Sequence, residues 1–318
     1  MVLNLGDSVS MEFVRVPEGD FLMGSELPPA QSDTDEHPRH RVHVKPFYMG
    51  KSEVTVAQFR RFVDETGYRT DAERGTPVPE KSNMKDGVLG GPTVDETGNW
   101  VLNTNITWRD PELPQSENHP VVVVSWNDAQ VFCSWLSNKT SRRVRLPTEA
   151  EWEYACLGGT TTHYWWGDEP DTSGKVANLA DLQAKRRYEL WESIGMDFLD
   201  TDDGFLYAAP VGSYRANPFG LYDMIGNVWE WCEDTKQPSY KGAPSDGSAW
   251  TEPCEHDRRV FRGGTWGNGA RQSRCSWRAG HSAGCRGTSF GFRVVVEVPA
   301  NHVEAAGLAQ TMTAAVNP

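Results

Sequence analysis

Residues 266–281 bring together side chains that can contact or react with a ligand. The segment holds two tryptophans, three arginines, a histidine and a cysteine, without the apolar period of a helix or a strand. Tryptophan and arginine supply a large contact area and forked hydrogen-bond donors at little entropic loss. We therefore expect this segment to line a ligand-contacting groove through Trp266, Asn268, Arg271, Ser273, Arg274, Cys275, Trp277, Arg278 and His281.

The basic residues of this region have a second interpretation. A buried arginine needs a partner for its charge. Arg262, Arg274 and Arg278 are therefore also candidates for braces that hold loops against carboxylates or carbonyls. The sequence alone leaves both roles open.

Several motifs follow one another in the order of a known family. They are MEFVRVPEGDFLMGS at 11–25, SEVTVAQF at 52–59, HPVVVVSWNDA at 119–129, LPTEAEWEYA at 146–155 and GNVWEW at 226–231, with GFR at 291–293. Together they resemble the formylglycine-generating enzyme (sulfatase-modifying factor) family over nearly the whole chain. The resemblance implies an α+β, loop-rich, C-type-lectin-like fold with two main helices and a small twisted antiparallel sheet.

The resemblance also implies that residues 262–275 are an active-site segment with two altered positions. In the family, two cysteines five positions apart hold a copper ion and oxidise a substrate cysteine. Asn268 and Ser273 stand at those positions here, and neutral amide and hydroxyl groups are poor ligands for Cu(I). We therefore expect no formylglycine synthesis, and the identity of any other redox metal stays open.

Two structural calcium sites are implied by the same resemblance. The ligand sets are Asp223, Gly226, Val228 and Glu230 for the first site, and Asn178, Leu179, Asp203 and Phe205 for the second. Both are all-oxygen sets, as a hard cation requires. The alternative is that Asp223 and Asp203 are turn carboxylates without a metal.

Charge and hydropathy argue against two classes of partner. The net charge is −13, from 44 acidic and 31 basic residues, and no run of Lys or Arg suits a phosphate backbone. We expect no nucleic-acid partner. No stretch approaches the roughly 20 apolar residues of a membrane span, and the first residues lack the pattern of a signal peptide. We expect a cytoplasmic protein without a membrane partner.

The six cysteines show no zinc-binding spacing. Cys133, Cys156 and Cys232 lie in predicted helix or core motifs and are expected to be buried thiols. The remaining three, at 254, 275 and 285, lie in loop-like sequence, where they can react or pair. Free thiols are the favoured state for all six.

Helical periodicity is clear in two segments, 56–67 and 126–138. Thr55 and Gly67 are expected to cap the first, and Thr148 with Glu151 predicts a shorter helix after Pro147. Strands are predicted at 13–16, 40–44, 121–124 and 292–298. Long stretches rich in Gly, Pro and Asn at 66–119 and 234–258 are expected to be loops.

The chain is interpreted as one domain over 1–298 and a tail over 299–318. Two functions remain open. The first is a non-haem metal-dependent oxidoreductase of the formylglycine-generating-enzyme and sulfoxide-synthase superfamily, acting on a small molecule or peptide. The second is a non-catalytic, C-type-lectin-like ligand-binding protein of the retroelement-diversified type.

Overall fold

The computed structural model describes residues 1–28, 30–75, 89–171, 173–254 and 257–298. The predicted tail at 299–318 lies outside them. Six α-helices lie in the described part, namely α1 (Val56–Thr66), α2 (Asp71–Arg74), α3 (Trp126–Thr140), α4 (Glu149–Leu157), α5 (Leu182–Arg187) and α6 (Glu189–Ser193). The strands are β1 (Val2–Gly6), β2 (Val9–Val16), β3 (Gly19–Met23), β4 (His40–Val44), β5 (Phe47–Gly50), β6 (Gly91–Val94), β7 (Trp100–Asn103), β8 (Val144–Arg145), β9 (Trp229–Thr235), β10 (Arg258–Arg262), β11 (Arg278–Ser282), β12 (Phe290–Gly291) and β13 (Val295–Glu297).

Two small sheets organise the described residues. One has the strand order β1-β2-β5-β13-β8, with every pair antiparallel. The other has the order β11-β10-β9-β12, in which only the β12–β9 pair is parallel. Two hairpins, β3–β4 and β6–β7, stand apart from them. Mixed helices, short strands and long irregular connections confirm the predicted α+β class.

The predicted helices form, and local chemistry explains where they begin and end. Thr55 and Gln58 make a reciprocal capping box at the start of α1, and Gly67 ends it in the left-handed region. Thr148 and Glu151 do the same at the start of α4. The apolar faces of α1 and α3 pack together with the five-stranded sheet in one large core cluster.

The predicted strand at 121–124 is wrong. All four valines there are buried, but the chain is irregular because Val123 has a φ of 58°, outside the strand region. Backbone hydrogen bonds go to separate partners, from Val121 to Val54 and from Val123 to Gly287. The predicted strands at 13–16 and 292–298 form with shifted limits, as parts of β2 and β13.

Four arginines are buried against four glutamates in the described residues. The pairs are Arg262 with Glu153, Arg274 with Glu36, Arg278 with Glu149 and Arg293 with Glu230. All eight side chains are at most 4% exposed. Because a buried charge needs a charged and hydrogen-bonded partner, these pairs fix how distant segments meet. Three of them join residues of 262–278 to the rest of the fold.

A buried carboxyl makes the stability depend on pH. Asp234 accepts backbone hydrogen bonds from Glu149 and Trp250, and burial, followed by repulsion from Glu149, raises its pKa to about 7. A folded pKa above the unfolded value means that the folded state binds the proton more tightly. The stabilisation of the folded state by protonated Asp234 is complete below the pKa of the unfolded state and is lost as the pH rises through 7.

We expect the free energy of unfolding to fall by about 1.4 kcal/mol between pH 6 and pH 8 through Asp234 alone. Asp234→Asn, which resembles the protonated carboxyl, should flatten this part of the profile. Urea unfolding at several pH values, in chelator-treated buffer, measures both slopes. Equal slopes for the parent and the variant would assign the pH dependence to other groups.

Candidate functional site

The segment 266–281 comprises most of the connection from β10 to β11 and the first four residues of β11, and it contains a short 3-10 turn at Ala270–Ser273. Its residues point in three directions, which the sequence pattern did not separate. One group is buried against aromatic or acidic partners. A second group lies at the surface, and a third, around Cys275, lines a cleft.

Trp266 belongs to the buried group. It is 1% exposed and packs near the indoles of Trp100 and Trp191 and edge-on to Tyr207. Trp100 comes from the β6–β7 hairpin, within a stretch predicted only as loop, and it is itself 46% exposed. Trp266 is therefore a covered core residue, which corrects the expectation that it contacts a ligand directly.

Arg274 and Arg278 are also interior, which corrects their expected place on the groove wall. Arg274 donates two hydrogen bonds to Glu36, at 2.7 and 2.8 Å. Arg278 donates two to Glu149, both at 2.6 Å. Although burial opposes ionisation, the Arg278 guanidinium holds the pKa of Glu149 below its ordinary value. Both arginines, together with Arg262, are braces, in line with the second interpretation of the sequence.

Asn268 lies two residues before the 3-10 turn, and Ser273 is the last residue of the turn. The Ser273 hydroxyl is fully buried and donates to the carbonyl of Gly269 at 3.0 Å. The Asn268 side chain is half-buried and accepts from the Thr265 hydroxyl at 3.1 Å. Neither side chain offers a thiolate, so the donor set of this turn does not fit Cu(I).

Arg271 and Trp277 make up the surface group. Arg271 is exposed and contacts Asp33 at 3.2 Å, while the Trp277 indole, half-buried, donates to the other carboxylate oxygen of Asp33 at 3.0 Å. His281 lies farther along β11, half-buried, and burial lowers its pKa. Arg271 and Trp277 thus share one acidic partner, and the Trp277 indole also stacks on Trp229 with ring centroids 5.1 Å apart.

Cys275 lies at the floor of a narrow cleft, which we call the inner cleft. The lining residues are Leu22, Gly24, Ser25, Glu26, Arg39, Glu153, Leu157, Thr161, Thr162, His163, Cys275 and Ser276, and the volume is about 30 Å³. An adjoining outer cleft of about 430 Å³ shares four of them and adds Asp20, Phe21, Arg41, Tyr154, Gly159 and Thr160. The outer cleft is large enough for a small molecule or a peptide side chain, and only a water-sized molecule fits the inner one.

A second thiol stands behind Cys275. Cys156, in the last turn of α4, places its Sγ 2.7 Å from the Sγ of Cys275. Both side chains are at most 1% exposed. The burial expected for Cys133, Cys156 and Cys232 is confirmed, and Cys275 and Cys285, which come from loop-like sequence, are buried as well. The contact between residues 119 positions apart has no local sequence signal.

The first implied calcium set fits a cation only in part. One oxygen of Asp223 is buried and accepts from no N–H or hydroxyl group, but the Glu53 carboxyl is close enough to hydrogen-bond with Asp223. Glu230, in contrast, has both oxygens engaged, by Arg293 and by the Trp152 indole. The implied role of Glu230 as a calcium ligand is therefore not supported, because a guanidinium already neutralises it.

Glu53 is an acidic neighbour of Asp223 that the sequence reasoning missed. It is buried, and one of its oxygens accepts from no N–H or hydroxyl group. Burial and then repulsion from Asp223 raise the pKa of Glu53 well above its ordinary value, and burial raises that of Asp223 to about 6. The sequence signal that could have indicated Glu53 is an acidic residue within the motif at 52–59, shortly before the residue that caps α1.

The second implied set fits better. Asn178 is fully buried and its side-chain oxygen has no hydrogen-bond partner, while its amide donates to the carbonyl of Tyr207 at 2.9 Å. Asp203 accepts from the backbone amides of Phe205 and Leu179. Burial, with repulsion from Asp181 and Asp202, raises the pKa of Asp203 to about 7. In the described residues, no three His, Cys, Asp or Glu side chains converge on one point, so carbonyl and amide oxygens would complete such a site.

Among the described residues, no helix combines the length and the apolar character needed to cross a bilayer.

Comparisons with known proteins cover almost the entire described chain. The family model of the Sulfatase-modifying factor enzyme 1-like domain matches residues 7–298. The formylglycine-generating enzyme of Streptomyces coelicolor is 38% identical over 265 residues, which are 80% of this chain and 78% of that protein. The Inactive C-alpha-formylglycine-generating enzyme 2 of Bos taurus is 32% identical over 306 residues, covering 92% and 90%. The solved structure of PvdO from Pseudomonas aeruginosa is 30% identical with a TM-score of 0.71, covering 94% of this chain and 98% of that one.

Proposed function

The chain belongs to the sulfatase-modifying factor enzyme 1-like family and has the formylglycine-generating-enzyme-like, C-type-lectin-like fold, and from this premise we propose that it is an oxidoreductase of that superfamily with a chemistry other than formylglycine synthesis. Its substrate is a small molecule or a peptide bound in the outer cleft. The observation that carries the proposal is that Asn268 and Ser273 stand at the copper-binding cysteine positions of a segment that resembles the family's active-site segment.

The outer cleft supports this choice of substrate class. Its wall combines apolar side chains, such as Phe21 and Leu22, with the charged groups of Asp20, Arg39 and Arg41. Arg41 and Asp20 contact each other at 3.2 Å, and both side chains are substantially exposed. Such a mixed wall suits a ligand with one apolar part and one charged or polar end. The cleft leads to the inner cleft, where Cys275 supplies a sulfur.

The proposal includes dependence on a redox metal. The side chains of Asn268 and Ser273 do not indicate which metal this is. Elemental analysis of the purified full-length chain tests it. We expect a redox-active transition metal to co-purify in stoichiometric amount. Protein containing only calcium, or no metal at all, would favour the second function below.

The rejection of formylglycine synthesis has its own test. Incubation of the chain with copper, oxygen and a sulfatase-type peptide that contains cysteine should leave the peptide unchanged by mass spectrometry. The Streptomyces coelicolor enzyme, assayed in parallel, is the positive control. Detection of the peptide aldehyde with this chain at a comparable rate would refute the proposal.

A second function, ligand binding without chemistry, is favoured by one observation. Arg271 and Trp277 present an exposed cation and a half-buried indole, positioned by a shared carboxylate, Asp33. Such pairs are frequent at recognition surfaces. If this second function is correct, the double variant Trp277→Ala with Arg271→Ala should weaken ligand binding. If the first function is correct, the same variant should leave turnover in the outer cleft unaffected.

Calcium is proposed as a structural cofactor bound by Asn178, Leu179, Asp203 and Phe205. Its support is the buried side-chain oxygen of Asn178, which has no hydrogen-bond partner, together with the hydrogen bond from the next residue, Leu179, to the carboxylate of Asp203. An ion that binds only the folded chain raises stability by mass action. Removal of calcium by a chelator is therefore expected to lower the melting temperature.

Asp203→Asn should reduce the calcium-dependent shift in melting temperature, because it removes the anionic ligand. Asp246→Asn, at an exposed turn acid, is the matched control and should leave the shift unchanged. A melting curve that is identical with and without chelator, in protein that contains no calcium, would contradict the proposal.

A further inference from the structure

Cys156 and Cys275 are held against each other by the surrounding backbone. The amide of Cys275 donates to the carbonyl of His163 at 2.9 Å, and its carbonyl accepts from Arg262 at 2.8 Å. The Cys156 thiol lies in α4 and contacts the carbonyl of Met224 at 3.7 Å. Both side chains are buried. The two sulfur atoms therefore meet in a fixed setting, at 2.7 Å.

This separation is close to that of a covalent bond. A disulfide has a sulfur–sulfur distance of about 2.05 Å, so less than about 1 Å of movement joins the two atoms. We propose that Cys156 and Cys275 form a reversible disulfide at the floor of the inner cleft, with a hydroperoxide as the oxidant. The proposal stands independently of the oxidoreductase and ligand-binding alternatives.

Access decides which thiol reacts first. Cys275 lines the inner cleft together with Ser276, Thr162 and His163, whereas Cys156 does not. An oxidant that enters from the outer cleft therefore meets the sulfur of Cys275. Cys156 approaches from the opposite side, within α4, and is placed to react second.

The size of the cleft selects the oxidant. The inner cleft, at about 30 Å³, exceeds the roughly 10–15 Å³ that a cavity needs to hold one water molecule. Hydrogen peroxide is only slightly larger than water and can reach Cys275 with small side-chain movements. A glutathione-sized disulfide cannot reach it without opening the wall formed by Arg39 and Leu157.

The reaction balances in two steps. The Cys275 thiolate attacks one peroxide oxygen, so that an S–O bond forms and the O–O bond breaks. The leaving hydroxide takes up the thiol proton as water, and Cys275 becomes a sulfenic acid. The sulfur of Cys156 then attacks the sulfur of Cys275, the S–S bond forms, and the S–O bond breaks with release of a second water. Two thiols and one peroxide thus give one disulfide and two waters, and an external dithiol reverses the change.

The crosslink would tie α4 to the segment that carries Asn268 and Ser273. It closes a loop of 119 residues. Because loop closure restricts the unfolded chain, and more so for longer loops, the oxidised form should be more stable. We expect its melting temperature to be higher by about 5 °C or more.

Peptide mapping of the full-length chain tests the proposal. The reduced protein is treated with hydrogen peroxide, blocked with an alkylating agent and digested with trypsin. Cys156 lies in the tryptic peptide 146–175 and Cys275 in the tetrapeptide 275–278, each with a single cysteine. The expected result is a linked pair of these peptides, lighter by two hydrogens than their sum, which disappears on reduction.

Two variants separate the order of the steps. In Cys156→Ser, a dimedone adduct of sulfenic acid should accumulate on Cys275, because the second thiol is missing. In Cys275→Ser, Cys156 should remain unmodified. Cys133→Ser, at a buried thiol of α3, is the matched control and should leave the linked peptides unchanged.

Each other outcome counts against the proposal. Full alkylation of Cys156 and Cys275 after peroxide treatment would overturn the disulfide. A crosslink through the partly exposed Cys254 in place of this pair would overturn it equally. A dimedone adduct on Cys156 in Cys275→Ser would overturn the assignment of Cys275 as the first thiol to react. If a variant does not fold, the mapping of the unaltered chain decides alone.

Discussion

Glu230→Ala is expected to lower the free energy of unfolding by about 3–5 kcal/mol. Glu230 lies on β9 and accepts hydrogen bonds from Arg293 and from the Trp152 indole, at 2.6 and 2.7 Å for one oxygen. All three side chains are fully or almost fully buried. Its removal leaves the buried Arg293 guanidinium without its hydrogen-bonded carboxylate and the Trp152 indole N–H without its acceptor.

Urea unfolding of the parent and the variant measures the difference. Glu117→Ala is the control, since Glu117 pairs with Arg60 at the surface and such pairs contribute less than about 1 kcal/mol. The double variant Glu230→Ala with Arg293→Met should lose less stability than the sum of the two single variants. A loss below about 1 kcal/mol for Glu230→Ala would show that the buried pair is not needed for the fold.

The double variant Asn268→Cys with Ser273→Cys is expected to bind Cu(I) stoichiometrically, where the parent turn binds none. Thiolates are soft ligands that select Cu(I), whereas the amide and the hydroxyl group now at these positions are not soft ligands. Asn268 precedes and Ser273 ends a short 3-10 turn at Ala270–Ser273, so the substitution changes the donor atoms at positions only five residues apart. Titration against a coloured Cu(I) chelator measures the gain.

Each single cysteine variant should bind more weakly than the pair, because one thiolate replaces two. The experiment is made in a Cys275→Ser background, so that the contact between Cys275 and Cys156 contributes no copper site. Equal copper binding before and after the double substitution would show that the turn does not place the two positions on one ion.

Local sequence signals predicted the local structure well. The caps of α1 and α4 were read from Thr55, Gly67 and Thr148, because a capping box involves residues only three positions apart. The buried run at 121–124 was misread as a strand. Apolar β-branched residues favour a strand only where a neighbouring strand completes the ladder of backbone hydrogen bonds. Here the backbone hydrogen bonds go to two unrelated segments.

The site was predicted less completely, for a physical reason. Composition identified residues 266–281 as important but could not say which way each side chain points. Trp266 is covered by Trp100, which lies in a long segment without a recognisable period. The pairs of Arg274 with Glu36 and Cys275 with Cys156 join positions more than a hundred residues apart. Such contacts depend on the tertiary fold, and single-sequence patterns hold no record of them.

One feature of α4 bears on how new activities arise in this fold. From the nine-residue helix α4, Glu149 and Glu153 pair with Arg278 and Arg262, which lie at the two ends of the connection from β10 to β11. Between these two ion pairs, Arg271 is exposed and Asn268 and Gln272 are half-exposed. The two ends of the connection are therefore fixed while these three side chains are accessible. Randomising the three positions should produce new recognition or reactivity while the protein remains folded.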